Sequence, residues 1–105
     1  MEFIKLTIVD MALDLKEQLR RRNIYVGNVT VEDDDVSYPV IRLQYTDDID
    51  EEELDNIVEV IREEIRHNYN LDSIYDEYEN RYIKYEVALI ESNWPSFNIY
   101  LQERK

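Results

Sequence analysis

Apolar side chains recur at helical spacing in two parts of the chain. In the first 22 residues they recur every three or four positions, which predicts an amphipathic helix over 1–22. Thr7 followed by Asp10 matches a capping box and indicates a helix start as late as Thr7. A second apolar stripe predicts a helix over 50–68, with three glutamates in its first turn, where the helix dipole favours negative charge.

Alternating apolar and β-branched residues predict two β-hairpins. The first hairpin is expected over 24–32 and 36–46, with consecutive aspartates in its turn. The second pairs a strand over 81–91 with a last strand over 97–101. The residues expected on one side of the 81–91 strand are Ile83, Tyr85, Val87 and Leu89. Between the second long helix and this hairpin, the apolar spacing predicts a short helix near 72–79.

The two halves of the chain share an element order and a faint sequence repeat. A shift of 58 residues aligns Ile41 with Ile99 and Leu43 with Leu101. We therefore expect a single α+β domain over 1–105, a two-layer αββαββ fold in which two helices cover one face of a four-stranded antiparallel sheet. The other face of the sheet is then left to solvent or to a partner.

Negative charge is concentrated in one part of the chain. Residues 32–64 contain fourteen acidic and two basic side chains and hold −12 of the net charge of −13. The pI near 4.3 disfavours direct binding to nucleic acid or to an anionic membrane and favours a basic protein as partner. We expect neither a signal peptide nor a membrane span, and a cytoplasmic location.

The residue types that catalysis and cofactor binding need are scarce. There is no cysteine, the one histidine is His67, and the one glycine is Gly27. This composition excludes a disulfide scaffold and a glycine-rich phosphate-binding loop. The aspartates of 33–35 and the acids of 47–51 do not match an EF-hand loop, so only weak divalent-cation binding is expected there. The sequence predicts a protein without catalysis, metal or cofactor.

The charged residues are interleaved with apolar residues at regular spacing, so a folded scaffold would hold them in fixed positions. Acidic side chains follow the outer face of the 50–68 helix, and two further acidic segments flank it in the sequence. Tyrosine is common in protein interfaces, and it lies among the acids near 78. The expected partner-binding residues are Asp33, Asp34, Asp35, Asp48, Glu51, Glu52, Asp55, Glu59, Glu63, Asp76, Glu77, Tyr78 and Glu79.

The chain resembles the small acidic DNA-mimic inhibitors of bacteriophages and mobile elements in its small size, its strong negative charge and its carboxylates on predicted helices. The resemblance is clearest over 32–80. These include anti-restriction and anti-CRISPR proteins and an inhibitor of the histone-like protein HU. The resemblance implies competition with DNA for a basic DNA-binding protein of the host, in the host cytoplasm if the chain is phage-encoded. It implies no fold, because those proteins differ in fold.

A second hypothesis is a non-catalytic interaction module or complex subunit. Its contact surface would be the uncovered sheet face or a cluster of tyrosines in the second half of the chain, with Tyr78 or Tyr82 as anchors. The cluster consists of Tyr69, Tyr75, Tyr78, Tyr82, Tyr85 and Tyr100. An open sheet edge or face also leaves a symmetric homodimer possible.

Overall fold

Two helices cover one face of a four-stranded antiparallel sheet, as the sequence predicts, and the structure gives its strand order as β1-β2-β6-β5. This computed structural model describes residues 6–32, 39–45 and 48–104. A separate two-stranded hairpin, β3–β4, is inserted between the second helix and β5. The elements are α1 (Ile8–Arg21), β1 (Val29–Glu32), β2 (Val40–Gln44), α2 (Glu51–Asn68), β3 (Ile74–Asp76), β4 (Arg81–Ile83), β5 (Tyr85–Asn93) and β6 (Ser96–Glu103).

Helix α1 begins at the later of its two predicted starts. The backbone N–H of Asp10 donates to Thr7 Oγ1 (3.1 Å), and the N–H of Thr7 donates to Asp10 Oδ2 (3.4 Å). This reciprocal capping box satisfies two N–H groups that have no partner within the helix. The first part of the predicted helix, residues 1–5, lies outside the described residues.

The carboxyl end of α1 is closed by a Schellman motif. Asn23 has a φ of 63°, and its N–H donates to the carbonyl of Arg20 (3.0 Å). The N–H of Ile24 donates to the carbonyl of Leu19 (2.9 Å), and both side chains belong to the hydrophobic core or pack against it. Asparagine tolerates the left-handed conformation that this motif requires. The chain therefore turns sharply out of α1 toward β1.

The predicted 50–68 helix is confirmed as α2. Ile57, Ile61 and Ile65 are buried on its inner face, and the acidic first turn of 51–53 lies where the positive end of the helix dipole stabilises carboxylates. The carbonyl of Asp50 accepts the first helical hydrogen bond from the N–H of Leu54 (2.9 Å). Burial of the isoleucines holds α2 against the sheet.

The central strands pair one of the residue pairs that the sequence repeat aligns. Ile41 lies opposite Ile99 in the β2–β6 register, and both are fully buried. The equivalent pairs Val29–Leu43 and Val87–Leu101 flank it in the outer strands, so the repeat is visible in the register of the sheet. The repeat does not extend to the helices, because the β3–β4 hairpin separates α2 from β5 and α1 has no equivalent insertion.

The first hairpin is shorter than predicted. Strand β1 covers only the end of the expected 24–32 segment, and β2 covers the centre of 36–46. Before β1 the chain still follows β2, since Gly27 N–H donates to the carbonyl of Gln44 (2.6 Å). The expected aspartate turn at 33–35 lies outside the described residues.

Strand β5 differs from the predicted alternation. A register shift between Val87 and Leu89 places Leu89 opposite Tyr100 and leaves it 50% exposed, while Ile90 turns into the core. The expectation that Leu89 shares a side with Val87 is therefore wrong. An extra residue in one strand reverses the side on which all later residues point.

The predicted short helix over 72–79 is also wrong, because this segment contributes to the β3–β4 hairpin. The rings of Tyr75 and Tyr82 pack edge to face across the strands, 5.2 Å apart. Asp76 begins the turn, and Asn80, with a φ of 52°, ends it. A helix of this length is marginal in water, whereas an aromatic cross-strand pair and two turn residues favour a hairpin.

Neither helix in the described part of the chain is sufficiently long and apolar to cross a membrane.

Candidate acidic interaction surface

Six exposed carboxylates surround the amino end of α2, and we call them the α2 acidic end. They are Asp48, Asp50, Glu51, Glu52, Glu53 and Asp55. Ile49 and Leu54, which lie between them, pack against the hydrophobic core and fix the backbone on which the carboxylates are carried. None of the six forms an ion pair with any other described residue. The negative charge of this end is therefore uncompensated by close cations in the described chain.

The later acids of α2 are partly compensated, by two arginines for three carboxylates. Glu59 pairs with Arg62 (2.8 Å), while Arg22 at the end of α1 contacts Glu64 (3.0 Å) and Glu63 (4.0 Å). Exposed pairs of this kind add little stability, but each arginine cancels one negative charge locally. The expected acidic face of α2 is therefore strongest over its first half, and Glu59 and Glu63 contribute less than predicted.

The expected residues near 78 form the tip of the β3–β4 hairpin. Asp76 Oδ1 accepts hydrogen bonds from the backbone N–H groups of Tyr78 (2.8 Å) and Glu79 (3.2 Å). Glu79 pairs with Arg81 (2.7 Å), while Glu77 makes no ion pair within the described chain. Tyr78 is 92% exposed. The tip thus presents an aromatic ring with carboxylates on both sides.

The hairpin tip and the α2 acidic end do not form one surface. Arg22 at the end of α1 meets Glu64, and Asp14 in the middle of α1 accepts a hydrogen bond from the Tyr69 hydroxyl (2.6 Å), so the helices run in opposite directions. Strand β3 bonds to the chain just before α1, through Tyr75 N–H and the carbonyl of Leu6 (2.9 Å).

The hairpin therefore lies beyond the carboxyl end of α2, whereas the α2 acidic end lies at the amino end of the same helix. An 18-residue helix is about 27 Å long. Of the expected residues, the structure brings together Asp48, Glu51, Glu52 and Asp55 at one end, and Asp76, Glu77, Tyr78 and Glu79 at the other. Asp33, Asp34 and Asp35 lie outside the described residues.

The open face of the sheet is covered by hydrogen-bonded polar side chains. Arg42 Nη1 and Ser96 Oγ both donate to Asn98 Oδ1 (2.9 and 2.7 Å), and Arg42 also pairs with Glu32 (3.0 Å). Asn98 is only 2% exposed. Farther along this face, Tyr100 donates to Glu91 (2.7 Å) and Gln102 to Glu86 (2.6 Å). These bonds satisfy the polar side chains of the face internally, and they surround one exposed apolar side chain, Leu89, which lies opposite Tyr100.

Two tyrosines are neutral structural links. Partial burial, together with the hydrogen bond to Asp14, raises the pKa of Tyr69 well above its ordinary value of 10. The hydrogen bond to Glu91, followed by desolvation, raises the pKa of Tyr100. Each phenol keeps its proton because it donates that proton to a carboxylate. Tyr69 thereby joins α1 to the end of α2.

Two surface features were missed from the sequence. Trp94, in the β5–β6 turn, is 65% exposed and packs edge to face on Tyr45 (ring centroids 5.5 Å apart). A cleft of about 590 Å³ separates the amino end of α1 from the hairpin tip, with Val9 and Tyr75 among its lining residues. The cleft joins segments distant in sequence, so local periodicity gives no sign of it.

Within the described chain, no group of three or more histidine, aspartate or glutamate side chains is arranged to hold a metal ion. His67 is exposed in the last turn of α2, where the negative end of the helix dipole favours basic side chains.

The comparisons with known proteins leave the family open. No protein-family model matches the chain, and neither a curated protein nor a solved structure shows significant similarity to it.

Proposed function

We propose that this protein is a non-catalytic acidic binding protein that competes with DNA for a basic DNA-binding protein in the cytoplasm. The observation that carries the proposal is the α2 acidic end, six exposed carboxylates without an ion-pair partner among the described residues. Because Ile49 and Leu54 anchor the same segment to the core, the charges keep a fixed arrangement.

The charge density of this end is comparable with that of duplex DNA. Four carboxylates follow one another along about 6 Å of the length of the helix axis, at a rise of roughly 1.5 Å per residue. They belong to Glu51, Glu52, Glu53 and Asp55. Duplex DNA carries one negative charge per roughly 1.7 Å of its axis. A cationic protein surface that binds phosphates would meet a similar density of carboxylates here, over a short length.

The proposal is tested by capturing partners from a bacterial lysate with the tagged protein, with and without added duplex DNA. Mass spectrometry then identifies the bound proteins. We expect basic DNA-binding proteins, such as nucleoid, restriction or CRISPR proteins, that are lost when DNA is added. Their binding should weaken with rising salt, because screening reduces attraction between exposed charges.

A matched pair of variants separates the α2 acidic end from total charge. Glu52→Gln combined with Asp55→Asn removes two charges from this end. Glu86→Gln combined with Glu91→Gln removes two from the open sheet face, where glutamine still accepts the hydrogen bonds of Gln102 and Tyr100. We expect the first pair to weaken capture about tenfold and the second to leave it nearly unchanged. Equal effects would show that only net charge matters and would refute the proposed surface.

A second candidate function is a protein-interaction module that uses the hairpin tip. Tyr78 is 92% exposed and Tyr82 is 46% exposed on the same hairpin. Tyrosine is enriched at interface hot spots. Under this alternative, Tyr78→Ala abolishes capture, whereas the double variant Glu52→Gln with Asp55→Asn and the addition of DNA have no effect.

A further inference from the structure

The cleft between α1 and the hairpin tip combines aromatic walls with an acidic rim. Its volume is about 590 Å³, within the range of sites that hold small ligands or side chains. Buried Tyr85 and partly buried Tyr75 line it, together with exposed Tyr78. Val9, 53% exposed, forms part of the opposite wall on α1.

Three carboxylates line the same cleft, and none of them has an ion-pair partner among the described residues. They belong to Asp10, Asp76 and Glu77. Asp10 and Asp76 accept backbone N–H hydrogen bonds, which fix their positions without removing their charge. The amino end of α1 contributes only about half a positive charge. Among the described residues, negative charge therefore dominates the cleft.

We infer that this cleft binds one cationic side chain, an arginine or a lysine, from a basic protein segment. A cation over a tyrosine face is attracted by the ring, and a neighbouring carboxylate adds a charge-assisted hydrogen bond. Charge complementarity excludes anionic ligands such as phosphate. The cleft lies at the opposite end of α2 from the α2 acidic end, so this binding does not depend on the proposed function.

The probe is a capped Gly-Gly-Arg-Gly-Gly peptide, and the matched control replaces its arginine with neutral citrulline. Titration of the whole protein is followed by nuclear magnetic resonance of its backbone amides. We expect saturable shifts at residues 8–10 and 75–78 with the arginine peptide and none with the citrulline peptide. The spectrum also reports whether each variant is folded.

Variants test each part of the cleft. Tyr78→Leu removes the ring, and Glu77→Gln removes one charge; each should weaken binding about threefold. Tyr78→Phe keeps the ring and should bind as the parent does. Asp76→Asn removes a charge while its side-chain oxygen can still accept the two turn hydrogen bonds, so it should also weaken binding.

Controls at distant sites complete the test. Tyr25→Leu removes another exposed tyrosine that lies outside the cleft, and Glu52→Gln with Asp55→Asn alters the other end of the molecule. Both should leave the affinity unchanged. The inference is overturned if shifts occur only over 48–55, if the citrulline peptide binds equally, or if Tyr78→Leu retains full affinity. None of these results bears on competition with DNA at the α2 acidic end.

Discussion

Asn23 decides how α1 ends and how the chain reaches β1. Its left-handed φ of 63° is open to glycine and tolerated by asparagine, but it is costly for a β-branched residue. We expect Asn23→Gly to change the free energy of unfolding by less than about 1 kcal/mol and Asn23→Val to lower it by about 1–2 kcal/mol. Urea unfolding followed by circular dichroism measures both. Equal stability of the two variants would contradict the Schellman geometry.

The burial of Tyr69, together with its hydrogen bond to Asp14, predicts a stability change at high pH. The folded pKa of Tyr69 is raised above 10, so its contribution is complete below pH 10 and is lost as the pH rises toward the folded value. A tyrosine that ionises only in the unfolded chain lowers stability by up to about 1.4 kcal/mol per pH unit.

Tyr69→Phe should therefore be less stable than the parent by about 1 kcal/mol near pH 8, and this difference should shrink above pH 10. Urea unfolding at a series of pH values checks it. A constant difference from pH 8 to 11.5 would show that Tyr69 has the same pKa in both states.

Among the elements, α2 depends on its buried face for its position. Ile61 is fully buried in the core, whereas Asn56 is exposed on the same helix. We expect Ile61→Ala to cost about 2–5 kcal/mol, since it removes apolar contacts and leaves a cavity. Asn56→Ala should be neutral or slightly stabilising, because alanine has the higher helix propensity. Thermal unfolding compares them; similar costs would mean that α2 is held by its surface charges.

The helices were predictable because their apolar periodicity is strong and local. The β3–β4 hairpin was not, because Ile74, Tyr75, Tyr78 and Tyr82 also have helical spacing; Tyr78 in fact projects into solvent at the turn. The exposure of Leu89 was likewise hidden, since a bulge is set by the pairing of β5 with β6 and not by either strand alone.

The candidate surface was predictable only in part. Carboxylates in the first turn of α2 follow directly from the sequence and the start of the helix. The ion pairs of Glu63 and Glu64 with Arg22 are formed by residues far apart in the chain. The distance between the hairpin tip and the α2 acidic end is likewise set by segments far apart in the chain. Such relations depend on how the helices pack.

At the scale of the whole molecule, a net charge of −13 predicts that salt stabilises the fold. Repulsion among like charges falls as the Debye length shortens, from about 30 Å at 0.01 M to about 3 Å at 1 M. We expect Tm to rise by about 4–8 °C, or about 1 kcal/mol, between low and high sodium chloride. The Tm of the variant Glu52→Gln with Asp55→Asn should rise less over the same range of salt concentration. A falling Tm would mean that the ion pairs outweigh the repulsion.

The opposed directions of α1 and α2 have a consequence for stoichiometry. The proposed sites at the α2 acidic end and in the cleft would make the molecule bivalent, so that it would join two basic proteins as well as mask one. At intermediate molar ratios to a cationic protein it would form large complexes, and when it is in excess these complexes would dissociate. Light scattering across a titration would then pass through a maximum, whereas a single-ended binder would give a plateau.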